Sequence, residues 1–279
     1  MGWIFGLGTF GMQVRSVIVK IAFCLILCGR VSTVLGAFDL PTVDARVLAA
    51  GNVRSTLSSI ANPALLRPGR PAKFGVSGTS YVANLNIWGS ALTIQGDIWQ
   101  HPVNFAATFY GDEVYQEYAL LAGSGYQIFP LLTLGLSLQL RESSMQNYDA
   151  HMGGGMTVGA RVVLMPDLIL GILWQNMLQK PMVDAAPEPE IFSIGLKYAA
   201  PVLELTLGLE KDAQLPLNTQ IGVLSNWSDW WGLAVGYESA MSAFTVGPHL
   251  NWAVWSLRYA WQWRAYLPPR QSFSLHYAF

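Results

Sequence analysis

Few groups in this chain could carry chemistry. The four histidines, His101, His151, His249 and His276, include no pair at helical or strand spacing that would hold a metal. The two cysteines, Cys24 and Cys28, fall inside an N-terminal segment with the layout of a signal peptide, so its removal leaves no thiolate ligand or nucleophile. Gly75-Val76-Ser77-Gly78 lacks the spacing of a nucleophile elbow. Gly153-Gly154-Gly155 leads from a polar link into a strand and reads as flexibility or a bulge rather than a phosphate cradle. Asp149 with His151 is the one pair placed for acid–base work, and an exposed loop pair is the simpler explanation. The expectation is no catalytic residue, no metal and no cofactor.

A second set of groups is more informative. Arg141, Arg161, Lys197, Glu204, Glu210, Glu238, Arg258 and Arg264 all fall on the polar phase of segments whose other phase is apolar. Facing lipid, each Arg or Lys near a bilayer midplane would cost about 2–4 kcal/mol. These side chains should therefore line a lumen, sit near a rim or pair with one another. They could bind a plug or solute, or simply fill a small barrel with internal ion pairs. Arg46 and Arg54, from an upstream segment, are expected to meet Glu204, Glu210 or Glu238 inside.

Those charges must be positioned by strands. Leu132, Leu134, Leu136, Leu138 and Leu140 alternate with Thr133, Gly135, Ser137 and Gln139. Leu203 to Leu209 alternate with Glu204, Thr206, Gly208 and Glu210, and Trp255 to Trp263 with Ser256, Arg258, Ala260 and Gln262. Strict alternation marks a strand between two different environments. Cutting at turn signals predicts about fourteen strands, starting near Lys73, Leu85, Val103, Glu117, Leu131, Met152, Leu168, Ile191, Val202, Leu217, Trp231, Ala243, Ala253 and Gln271. Longer polar links (142–151, 179–190, 211–216 and 265–270) tend to alternate with short ones around Pro130, Pro166 and Pro201. The long links are assigned to the cell exterior and the short ones to the periplasm.

Composition agrees with this architecture. Only 12% of the 279 residues are charged, against about 25% in soluble domains, while 52% are hydrophobic and the mean hydropathy is +0.33. Beyond the N-terminus no apolar run reaches the roughly 18 residues of a spanning helix. A soluble sandwich or propeller of this length should carry many more surface charges. The net charge of −1 argues against a nucleic-acid partner. The fold class expected is all-β, a transmembrane antiparallel barrel of about fourteen strands with a small N-terminal plug.

Residues 1–37 are read as a signal peptide, with Arg15 and Lys20 before the apolar run 21–28 and Met12 as an alternative start after an extension, 1–11. An N-terminal anchor helix is the other reading. Large residues before both cysteines (Phe23 and Leu27) exclude lipidation. Loss of Arg15, Lys20 and Arg30 takes the 16 basic residues to 13 against 17 acidic, net −4. Residues 38–72, with Arg46, Arg54, Arg67 and Arg70, a short helix expected over 44–50 and a turn at Asn62-Pro63, form the plug, and residues 73–279 the barrel.

The last strand carries a further signature. Phe273, Leu275, Tyr277 and the terminal Phe279 alternate with Ser274, His276 and Ala278, similar to the assembly signal that barrel-insertion machinery reads in bacterial outer-membrane proteins. Trp227, Trp230 and Trp231 cluster at one link, as in an interfacial girdle.

Residues 40–46 (LPTVDAR), 48–51 (LAAG) and 62–66 (NPALL) resemble the N-terminal pattern of the PorV/PorQ family, FadL-like outer-membrane barrels of the Bacteroidota type IX secretion system. This chain has Gly51-Asn52 where relatives show Gly-Gly, and Ser55-Thr56-Leu57-Ser58-Ser59 in place of a longer acidic stretch. The resemblance implies a fourteen-stranded plugged barrel in the outer membrane that supports protein secretion or surface attachment, with type IX secretion components or secreted cargo as partners. A FadL-like transporter of hydrophobic small molecules is the alternative, with strand interruptions offering a lateral opening. Outer-membrane lipid and the barrel-assembly machinery are the remaining expected partners.

Overall fold

The structure, a computed structural model, describes residues 44–82, 86–181, 189–212 and 215–279. The segment read as a signal peptide, the first six residues of the expected plug and the ends of three links lie outside these ranges. Fourteen antiparallel strands close into a barrel. They are β1 (Lys73–Val82), β2 (Ile87–Ile98), β3 (His101–Gly111), β4 (Tyr115–Phe129), β5 (Leu132–Met145), β6 (His151–Met165) and β7 (Leu168–Pro181). The second half comprises β8 (Ile191–Ala199), β9 (Leu203–Asp212), β10 (Asn218–Asn226), β11 (Trp231–Glu238), β12 (Ala243–Trp252), β13 (Trp255–Arg264) and β14 (Arg270–Ala278). Pairing of β1 with β14 completes the ring, and the Phe279 amide donates to the Ala72 carbonyl at 2.9 Å beyond that ladder.

The period-two pattern fixes which face is which. On β5, Leu138 is 58% exposed on the outside while its neighbour Ser137 is 5% exposed within. Leu134, Leu136 and Leu140 share the outer face, and Thr133, Gln139 and Arg141 the inner one. An unbroken apolar exterior of this extent is stable only against hydrocarbon. Trp227 and Trp230 pack on Trp231 at one rim, with ring centroids 4.5 and 5.9 Å apart. At the end of β14, Phe273 and Phe279 are exposed, and Tyr277 stacks on Phe279 and meets Trp255 at a tilt.

The two rims differ. Links 99–100, 130–131, 166–167, 200–202, 227–230 and 253–254 leave one rim with two to four residues each. The fully described links at the other rim, 112–114, 146–150, 239–242 and 265–269, have three to five. Residues 142–145, expected in a long link, instead extend β5, so β4 to β7 are the tallest wall at 14 or 15 residues each. Beyond the bilayer both faces of a strand meet water, so Glu142, Ser143 and Ser144 give no alternation and still pair with neighbours. The glycines of 153–155 are also regular on the β5 side. The irregularity lies just after them, between Met156 and Val158 on the β7 side.

Inside runs the N-terminal segment. Its expected single helix is shorter and has successors: α1 (Ala45–Ala49), α2 (Arg54–Leu57) and a 3₁₀ turn (Pro63–Leu65). Asp44 caps α1, its Oδ1 accepting from the Arg46 amide at 2.8 Å. Ala45, Leu48, Ala49 and Ala50 bury against Leu224, Ala234 and Ala260 of the wall. Gly51 and Asn52, at φ 73° and 65°, turn the chain in the left-handed region. α2 then lies on β7 and β8, and the 3₁₀ turn on β4, β5 and β6.

Candidate functional site

The plug is seated on a row of glycines. Gly125, Gly135 and Gly159 are cross-strand neighbours, as are Gly171, Gly195 and Gly208, and Gly222 and Gly236. A β-carbon at Gly135 would lie 2.2 Å from the Ala64 nitrogen, at Gly159 2.0 Å from Asn62 Oδ1 and at Gly171 2.1 Å from the Ser55 carbonyl. At Gly222 it would lie 2.2 Å from the Ala50 carbonyl, and at Gly236 2.1 Å from the Gly51 amide nitrogen. Only hydrogen at these positions lets the plug backbone reach the wall. Sequence reasoning missed this row, although its signal is present: every strand from β4 to β11 carries at least one glycine on its polar phase.

Ion pairs add to that seat. Arg46 makes a bidentate contact to Glu204, at 3.0 and 3.1 Å, and Lys197 reaches the same carboxylate at 3.2 Å. Arg54, almost fully buried, lies 2.9 Å from Glu210. Glu238 accepts from Asn218 at 2.9 Å and from Asn52 and Gln262 at 3.4 and 3.5 Å. The remaining charges are spread through the lumen. Arg141 donates to Gln139 at 3.4 Å, and Arg264 to the Pro268 carbonyl at 2.9 Å and to the Tyr81 carbonyl. Arg258 stands opposite His249 in the ladder, and Arg161 is buried on β6 with no acceptor for its Nε. Arg270, not anticipated, lies over the Tyr81 ring at 4.2 Å. Reversing the shared carboxylate with Glu204→Lys should remove charged hydrogen bonds worth about 1.5–3 kcal/mol in all and set three cations together. Residues 44–66 of the refolded variant should then be cut faster by protease. Cleavage at the native rate would mean that this pair does not hold the plug.

Between the plug and the β1–β7 wall lies a cavity of about 110 Å³. Leu57, Ile60, Ala91, Ala106 and Leu121 supply its apolar lining, Ser137, Gln139, Thr157 and Gln175 a polar side, and Asp44, Arg54 and His276 also border it. Ile60 packs on Ala106, Ala119 and Leu121. Outside the same wall an apolar groove of about 690 Å³ runs over β2 to β6, sided by Leu92, Ile94, Phe105, Leu120 and Leu138 and floored by Ala107, Ala122 and Gly154. Ala106, Leu121 and Gln139 border both spaces. One layer of sheet separates them.

The ladder breaks beside this partition. Met156 pairs with Leu178 but Val158 with Trp174, so Gln175, Asn176 and Met177 oppose the single residue Thr157. Asn176 sits at φ 57° and bonds to Gln139 and, at 2.9 Å, to the Pro189 carbonyl. Thr157 and Gln175 face the cavity, and the Gln175 Oε1 has no hydrogen-bond partner. His151 begins β6 with its Nδ1 unpartnered, and Asp149 is exposed in the preceding link with no hydrogen bond joining the two. Among the described residues no three His, Cys, Asp or Glu side chains converge as metal ligands.

No protein-family model matches this sequence, and no curated protein matches it. Solved structures share the fold. The toluene transporter TodX of Pseudomonas putida aligns at a TM-score of 0.61, with 12% identity over 87% of this chain and 98% of that one. The monoaromatic hydrocarbon channel CymD aligns at 0.65, with 11% identity over 87% and 99% of the two chains. The Acinetobacter baumannii outer membrane protein Omp33 aligns at 0.51, with 5% identity over 75% and 98%. The chain is thus built like outer-membrane barrels that include hydrocarbon channels.

Proposed function

We propose that this protein is a non-enzymatic outer-membrane barrel that admits small hydrophobic molecules, with its short-turn rim in the periplasm. One observation carries the reading. An apolar groove on the lipid side and a cavity beside the plug back onto each other across β3 to β5, with Ala106, Leu121 and Gln139 in both walls. A solute dissolved in the outer leaflet would collect in the groove and enter beside the irregular β6–β7 ladder, so it need never cross the lumen in water. At about 110 Å³ the cavity is somewhat smaller, and more polar, than the engineered apolar cavity of about 150 Å³ that holds benzene, so a single small ring is the largest solute it would take without widening. Likeness in fold to TodX and CymD supports the same solute class.

The test is uptake of radiolabelled toluene by cells producing the protein, compared with cells lacking it. Uptake should rise, and Leu121→Trp, which fills the partition, should return it to the background. Equal uptake in all three would refute the proposal. The terminal alternation ending at Phe279 is proposed to be read by the barrel-assembly machinery.

The type IX secretion reading rests on the PorV/PorQ resemblance over residues 40–66. It is the weaker one. From Asp44 on, that segment is engaged in packing against the wall, and the described links at the long-link rim are too short to present much surface to a protein. Secretion components recovered with the protein in a pull-down from outer membranes would favour it, whereas bound apolar solute without partners would favour transport.

A further inference from the structure

At the short-turn rim the plug and the wall enclose a second cavity, of about 280 Å³, with an unusual lining. Arg46, Arg67, Arg70, Lys73, Arg161 and Lys197 border it, against the single acidic residue Asp97. Arg46 and Lys197 share Glu204. Asp97 is engaged by the Gly69 amide at 2.6 Å. Arg67, Arg70, Lys73 and Arg161 have no carboxylate within ion-pair distance among the described residues. Arg161 is the telling member. It is only 9% exposed, and its Nε has no hydrogen-bond partner. A buried guanidinium facing other cations is stable only where an anion joins them. Partial desolvation at the cavity mouth and the neighbouring Arg70 also hold the Arg67 guanidinium below its ordinary pKa, as expected at a site short of negative charge.

We propose that this cavity is a phosphate-binding site, with Arg161 at its floor and Arg67, Arg70 and Lys73 at its open mouth. A single carboxylate would leave the four cations largely uncompensated. A phosphate monoester brings close to two charges and several acceptor oxygens, which the planar forks of three arginines can share. The mouth is open: Arg67, Arg70 and Lys73 are exposed at the rim, so the group could arrive on a soluble molecule or on a lipid of the adjoining leaflet. The site stands apart from the proposed solute path, whose cavity lies on the other side of the plug segment 57–59, and its failure would leave that path untouched.

The test uses the full chain purified in a neutral detergent and titrated calorimetrically with inorganic phosphate and, separately, with micelles carrying short-chain phosphatidic acid. Saturable binding of inorganic phosphate, weakened about ten-fold or more by Arg161→Gln, is the expected result and points to a soluble ligand. Saturation by phosphatidic acid alone, with the same dependence on Arg161, supports the site and assigns it to a lipid headgroup. The paired change Arg67→Gln with Arg70→Gln alters only the exposed mouth, and it decides the matter should the Arg161 variant fail to fold. Binding of neither ligand, or binding unchanged in the folded variants, overturns the proposal.

Discussion

Gly171→Val combined with Gly236→Val is expected to expel residues 44–66 from the lumen while the fourteen-strand wall stays closed. The new β-carbons would come within 2.1 Å of the Ser55 carbonyl oxygen and the Gly51 nitrogen, both backbone atoms that no rotamer change can move. Overpacking of a filled interior costs about 1–3 kcal/mol per site, and here the two costs fall on opposite arms of one short segment. The strands themselves lose nothing, since valine favours a strand more than glycine does. Protease should cut within 44–66, and planar bilayers should show ion steps absent from the parent. Gly78→Val meets no atom within 4 Å and should be silent in both assays. A double variant as resistant and as tight as the parent would mean that the glycine row does not seat the plug.

The second large effect concerns Arg54 and Glu210, separated by 156 residues in sequence and 2.9 Å in space. Both side chains are nearly buried, so Glu210→Leu takes this carboxylate away from a guanidinium held in the lumen. Loss of one partner of a buried pair costs about 3–5 kcal/mol. The cost should appear as a plug that exchanges amide hydrogens rapidly over 53–58 while the strands remain protected. Arg54→Met added to Glu210→Leu should restore most of the protection, because an apolar pair of similar volume is close to neutral. Equal exposure in the single and double variants would show that the pair contributes through shape rather than charge.

What was legible in the sequence followed from one physical fact, that a barrel wall faces two solvents. Where lipid and lumen differ, as along 132–140 and 203–209, the alternation marks the strand and its inner face, and the expected starts at Lys73, Leu168, Ile191, Trp231 and Ala243 coincide with the observed ones. Where both faces meet water, as at 142–145, the signal vanishes although the strand continues. The meeting of Arg46 with Glu204 and of Arg54 with Glu210 followed from charge and inward phase, yet phase alone could not choose among three carboxylates. The glycine row and the cationic cavity needed the path of the plug. Arg67 and Arg70 lie far from Arg161 in sequence, and no period links them. Gly171 reads as a weak point in a strand until Ser55 is seen against it.

The proposed function requires a barrel that passes apolar solutes without opening a water-filled path for ions. Asymmetric vesicles with a lipopolysaccharide outer leaflet, which slows free diffusion of hydrocarbon, allow both properties to be read from one preparation. Vesicles carrying the protein should take up toluene faster than empty ones while retaining entrapped chloride. Chloride release without any gain in toluene entry would make the protein a water-filled pore and contradict the account.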